Sequence, residues 1–100
     1  MGEIELEGLQ VEWDDEKAEL NWKKHGIAFE DAAFVFLDEF RIEYYDELHS
    51  DDEDRIKVVG LVDKILAVIY TERTDKYRII SARYATKKEV NDYYGQYTYL

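Results

Sequence analysis

"WKKHG", residues 22–26, sets two lysines and a histidine side by side in a chain whose formal net charge is −11. Histidine is the side chain whose charge changes nearest neutral pH, which makes it the commonest general acid or base; a desolvated lysine can give up a proton or stabilise negative charge. His25 and then Lys24 are therefore the first candidates for chemistry. The same residues also read as a helix end. Cations in a last turn gain about 0.3–1 kcal/mol from the helix dipole, and a glycine after them suits the left-handed backbone that closes a helix. That second reading explains Lys23, Lys24 and Gly26. It explains His25 less well, because His25 shares a stripe with Ala18 and Trp22 and should point partly inward, where a hydrogen-bonded histidine is also acceptable.

Other chemistries are poorly supported. His25 and His49 are far apart and form no HExxH pair, and "HSDDEDR" lacks the glycine and terminal glutamate of a calcium loop. There is no glycine-rich phosphate loop and no nucleophile elbow. Cysteine is absent, which excludes disulfides and thiolate chemistry and allows a reducing compartment. No metal and no cofactor are expected. The start, "MGEIELEGLQ", has neither the basic nor the apolar region of a leader, and no run reaches membrane-spanning length, so a cytoplasmic protein without membrane contact is expected.

The length and composition suit a single domain over residues 1–100, and 46% hydrophobic residues are enough to offset the ordering entropy of folding. Charge is unevenly spread. Residues 1–54 hold 19 carboxylates against 4 basic side chains, whereas residues 55–100 hold 5 against 9. The acidic segments 1–16 and 38–54 read as solvated termini and loops.

The elements that must position these residues follow from periodicity. Asp14 or Asp15 can cap a first helix carrying Ala18, Asn21, Trp22 and His25 on one stripe, with Gly26 as its stop. A second, short helix buries Phe29, Ala32, Ala33 and Phe36, with Glu30 and Asp31 in its first turn. "RIEYY", "RIKVVGLV", "ILAVIYTER" and "YRIISARYA" read as strands, turning at Asp63–Lys64 and Thr74–Asp75, while "HSDDED" reads as a loop. "TKKE", residues 86–89, is a capping box opening a last helix with Val90, Tyr93, Tyr94 and Tyr97 on its core side and Gly95 as its stop. The fold class is α+β, with two N-terminal helices and a C-terminal helix on a three- to four-stranded antiparallel sheet. "YRIISARY" carries apolar groups on both parities, as a central strand does, and simple alternation places Arg83 on the face of Tyr77, Ile79 and Ser81.

The stretches "EWDDEKAELNWKKHGIAFEDA", "HSDDEDRIKVVG" and "YTERTDKYRIISARYATKKE" together resemble the BrnT toxins of bacterial type II toxin–antitoxin systems, a group with the RelE/ParE-like fold. The combination of the KHG step, the phenylalanine opening the second helix and "ISARYAT" is more specific than any one piece. The resemblance implies a metal-independent ribonuclease that stops translation. It also implies neutralisation by a BrnA-like ribbon-helix-helix antitoxin, through which alone the toxin would reach operator DNA. Two features depart from the family pattern: the strongly acidic chain, and Ala28 where a capping serine or aspartate is usual, worth ~1 kcal/mol.

Within that resemblance the cations acquire roles. Cleaving RNA requires a base for the 2′-hydroxyl, positive charge on the phosphorane and an acid for the leaving oxygen. Arg83, ahead of Arg73, suits the clamp because a guanidinium grips two phosphate oxygens and stays charged. The bland alternative for both arginines is pairing with nearby carboxylates, and Glu72 is a minor candidate that could instead orient Arg73. His25→Ala and Arg83→Ala are each expected to reduce cleavage severely and leave the fold intact. The competing function is a toxin-fold module without nuclease activity that acts only by holding a protein partner. Convergence of Lys24, His25, Arg73 and Arg83 on one concave surface would favour the nuclease, and their scattering into separate surface pairs the binding module.

Overall fold

The computed structural model describes residues 1–46 and 54–96. It opens with a hairpin. Ile4, Leu6, Leu9 and Val11 alternate with polar residues at the two-residue period of a half-buried strand. Glu7 and Gly8 both have positive φ, 50° and 89°, the backbone that matches strand twist in a tight turn. Across it β1 (Gly2–Leu6) pairs antiparallel with β2 (Leu9–Trp13). There follow α1 (Asp15–His25), α2 (Phe29–Ala32) running into a 3₁₀ turn (Ala33–Leu37), and β3 (Ile42–Asp46). The chain then makes β4 (Arg55–Val62), β5 (Lys64–Arg73), β6 (Lys76–Tyr84) and α3 (Lys87–Gly95).

The sheet is six-stranded and mixed, in the order β1-β2-β6-β5-β4-β3, with β2 parallel to β6 and the other pairs antiparallel. This corrects the expected three or four antiparallel strands. The α+β class and the central place of β6 hold. The difference lies in the acidic N-terminus, which is a strand pair and not a solvated tail: Glu3 and the buried Glu12 lie on the face away from the main core and pair with Lys76 and Arg78 on β6.

One face of the sheet carries the main core. Val11, Trp13, Val58, Val68, Tyr70 and Ile79 pack there against Phe29, Ala32, Ala33, Val35 and Phe36. Phe36, Tyr70 and Tyr77 form a ring cluster with centroids 4.8–5.0 Å apart. The stripe read for the second helix is buried throughout, and tightening to 3₁₀ geometry adds Val35, three residues after Ala32. The opposite face carries a smaller core, in which Val59, Ile65 and Ala67 meet Tyr93 of α3.

Helix ends obey the local rules. The Asp14 carboxylate accepts from the Lys17 N–H at 3.0 Å, and Gly26, at φ 69°, donates to the Trp22 carbonyl at 2.8 Å. Ala28 makes no side-chain cap to α2. Two stripe assignments are corrected. Trp22 is 58% exposed, lying in a surface groove beside Ala28 and Phe29, because α1 runs along a strand edge and turns only Asn21 fully inward. On α3, Tyr93 is buried but Tyr94 is half exposed, and Gly95 is the last helical residue without a left-handed backbone. Tyr97, His49 and most of the "HSDDED" loop lie outside the described residues.

Candidate active site

The parallel pairing of β2 with β6 ends at Trp13 opposite Ile79. Beyond that point no strand among the described residues pairs with β6 on this side, and α1 comes alongside instead. A bare strand edge needs partners for its amides. Asn21 supplies one. Its side-chain oxygen accepts from the Ala82 N–H at 3.0 Å and its Nδ2 donates to the Ile27 carbonyl at 3.1 Å, both bonds buried. A single amide thus ties the sheet edge, the last turns of α1 and the chain beyond Gly26 into one unit. Asn21→Ala is expected to cost about 2 kcal/mol in urea unfolding, since it strands a buried N–H and a buried carbonyl. A change under 0.5 kcal/mol would mean water replaces the amide.

This joint leaves a concavity of about 290 Å³ lined by Lys17, Leu20, Asn21, Lys24, His25, Ile80 and Ser81. Lys23 is engaged with Glu19 at 3.1 Å. The side chains of Lys24 and His25 have no hydrogen-bond or ion-pair partner among the described residues. His25 is half-buried at the wall and Lys24 is exposed.

Arg83 lies on the sheet face opposite the main core, and a bulge puts it there. Ile69 opposes Ser81 while Tyr70 opposes Ile79, so Ile80 is an extra residue in β6. The bulge breaks the alternation that would place Arg83 with Ile79: Ile79 and Ala82 enter the main core, whereas Ser81 and Arg83 face the other way. Arg83 follows Ser81 at about 7 Å along the strand, next to the concavity. Its guanidinium is engaged by Glu89, with Nη1 to Oε1 at 2.7 Å and Nη2 to Oε2 at 3.0 Å. Glu89 also accepts from the Thr86 N–H at 2.8 Å, completing the capping box, and pairs with Lys57 at 2.6 Å. The hydrogen bonds from Arg83 hold the Glu89 carboxyl well below the usual carboxylate range, against the opposing effect of burial.

Register puts further cations on this face, and all but Arg73 among them are ones the sequence does not single out. Arg55 and Lys57 of β4, Arg73 of β5, and Lys76 and Arg78 of β6 share it with Arg83. The signal was alternation in "RIKVV" and "KYRI", legible only once strand neighbours were known. Glu12 answers Arg78 at 2.6 Å and Lys76 at 3.7 Å, and the Arg78 hydrogen bond lowers its pKa.

The four candidates therefore fall into separate groups. Lys24 and His25 share the concavity. Arg83 borders it across Ser81 with its fork occupied. Arg73 lies at the far end of β5, six residues from Ala67, the partner of Arg83, which is about 20 Å. It lines a shallow depression with Glu72 and Lys76 at the β5–β6 turn. Among the described residues no cluster of three His, Cys, Asp or Glu side chains could hold a metal ion, and no helix is long and apolar enough to cross a membrane.

Comparison with known proteins adds the following. Residues 13–89 match the family model described as "Ribonuclease toxin, BrnT, of type II toxin-antitoxin system". Among solved structures, the 1.1 Å crystal structure of the Brucella abortus ribonuclease toxin BrnT is similar, with a TM-score of 0.57 and 26% identity. That match covers 77% of this chain and 96% of the Brucella chain. No protein among the curated ones matches. The family match begins at Trp13, so β1 and nearly all of β2 precede it.

Proposed function

Since the chain belongs to the BrnT family of ribonuclease toxins of type II toxin–antitoxin systems, we propose that it is an endoribonuclease that cuts RNA without a metal at the joint of α1 and β6. By this reading cleavage inhibits translation in the cytoplasm. A ribbon-helix-helix antitoxin neutralises the toxin and links it to operator DNA.

The observation that carries the reading is the pair Lys24 and His25, uncommitted among the described residues and opening over Ser81 beside Arg83. A base at this wall takes the 2′-hydroxyl proton. The 2′-oxygen then attacks the adjacent phosphorus, and the departing 5′-oxygen takes a proton from the second group. Arg83 and Lys57 lend positive charge to that side of the concavity, although Glu89 offsets part of it. Arg73 serves a phosphate further along the strand.

A second reading has its own support, beginning with the four candidates, which do not all converge on one concave surface. Arg83, Arg78 and Lys76 are each already paired with a carboxylate, as expected of a fold that keeps its shape and has lost its nuclease. The test is cleavage of RNA by the antitoxin-free protein in excess chelator, with Lys24→Ala beside it. Cleavage should survive the chelator and fall at least about tenfold in the variant. A folded wild type that binds its antitoxin yet cuts no RNA, with or without ribosomes, would establish the binding module instead.

A further inference from the structure

On the other side of Gly26 lies a second, larger cleft of about 450 Å³, unused by the chemistry above. Its floor is Ile27 and Leu66, both buried in the main core. Its walls are the rings of Phe34 and Tyr84, 43% and 50% exposed. Leu37, one 3₁₀ turn beyond Phe34, is 37% exposed and extends the apolar surface. Asp31, Asp63 and Lys64 stand on the rim, with the Lys64 Nζ over the Tyr84 ring at 5.4 Å from its centroid.

We propose that this cleft is the docking site for the antitoxin, which inserts a segment carrying an apolar anchor side chain followed by a basic one. The inference rests on the family reading above and deepens it. Three observations select this occupant. The apolar floor and half-exposed aromatic walls suit the buried anchor on which protein interfaces depend. The rim sets two carboxylates against one lysine, in a chain of net charge −11, and so favours and steers a basic partner over nucleic acid, which separates this surface from the RNA face. Continuity supplies the third. Gly26 lines the cleft and His25 lines the catalytic concavity, so the two sites meet at consecutive residues of one helix end. A segment seated here lies against the turn that holds His25, and its continuation covers the concavity. Neutralisation then requires no long-range conformational change.

The test uses the full chain and the purified antitoxin encoded with it, and measures both binding and RNA cleavage. Phe34→Ser removes a wall, and the double variant Asp31→Asn with Asp63→Asn removes the rim's negative charge; asparagine tolerates the positive φ of 63° at Asp63. Trp22→Ala, an exposed aromatic in the separate groove beside Ala18 and Ala28, is the control. Phe34→Ser should weaken antitoxin binding by about thirtyfold or more, the loss typical of an interface anchor. The rim variant should slow association and flatten its salt dependence, while both variants still cut RNA and the control binds normally. Wild-type affinity in both cleft variants would overturn the proposal and leave the nuclease reading intact. Failure of the wild type to bind the antitoxin at all would overturn the proposal together with the neutralisation it rests on, while the nuclease reading stands or falls on the cleavage assay alone.

Discussion

Replacing Glu89 with alanine is expected to destabilise the protein by about 3 kcal/mol and to lower its melting temperature by about 15 °C. Glu89 is 6% exposed, accepts both arms of the Arg83 fork, pairs with Lys57 and closes the capping box that starts α3. Removing it loosens α3 and leaves two partly buried cations facing each other across the sheet, at side-chain exposures of 27% and 35%. Glu89→Gln keeps the shape and part of the hydrogen bonding, and should cost about half as much. The pH dependence has a definite sign. The folded-state pKa of Glu89 is depressed, so its contribution is complete above the unfolded carboxylate value of about 4.3 and is lost as pH falls below it. Urea midpoints should therefore be level from pH 8 to about pH 5 on account of this group, then fall, and Glu89→Gln should lose less of its remaining stability over the acid range. A melting point for Glu89→Ala within a few degrees of wild type would show that the network contributes little.

The same network changes what an Arg83 variant reports. From sequence, Arg83→Ala was a clean probe of a phosphate clamp with the fold untouched. In the structure it also strips a buried carboxylate of its main partner, so lost cleavage in Arg83→Ala alone does not separate chemistry from folding. Arg83→Lys, which keeps a charge near Glu89 but loses the fork, is the better comparison. The cycle combining Arg83→Ala with Glu89→Ala should show a double loss smaller than the sum of the singles.

How far the sequence carried depended on whether a feature was local. Caps and turns were legible because the residues concerned hold their own partners: Asp14 with Lys17, Gly26 with Trp22, Thr86 with Glu89. The stripe of Phe29, Ala32, Ala33 and Phe36 was equally clear. The N-terminal hairpin was missed because its glutamates dominated the composition, although "EIELEGLQV" alternates and carries a glycine in the turn. Alternating charge on an outward face and a solvated acidic tail look alike until the partners Lys76 and Arg78 are known.

The site was less legible for the same reason. That Lys24 and His25 would share a wall could be read from their adjacency at a helix end. Arg83's face could not, because one bulged residue, Ile80, reverses the parity that simple alternation assigns. In the sequence Asn21 is one more member of a stripe. Its role depends on where β2 stops pairing with β6, a long-range fact with no local signature.

His25→Ala should lower the rate of RNA cleavage by about 10²- to 10⁴-fold, the usual worth of a positioned acid or base, with little change in melting temperature. The small structural cost follows from the site. The His25 side chain has no hydrogen-bond or ion-pair partner among the described residues, and the C-terminal turn of α1 is held by the Gly26 N–H and by Asn21. If His25 moves a proton, imidazole added to the His25→Ala protein should restore part of the activity through the vacated volume, while leaving Lys24→Ala unrescued. If His25 only shapes the wall, His25→Asn should retain most of the rate and imidazole should do nothing. Asn21→Ala distinguishes positioning from chemistry: by loosening the joint it should reduce cleavage without changing the form of the pH–rate profile, whereas loss of the group that titrates in the mechanism removes one limb of that profile. Full activity in a folded His25→Ala protein would exclude this histidine from the chemistry and return the "KKHG" step to the role of a helix end.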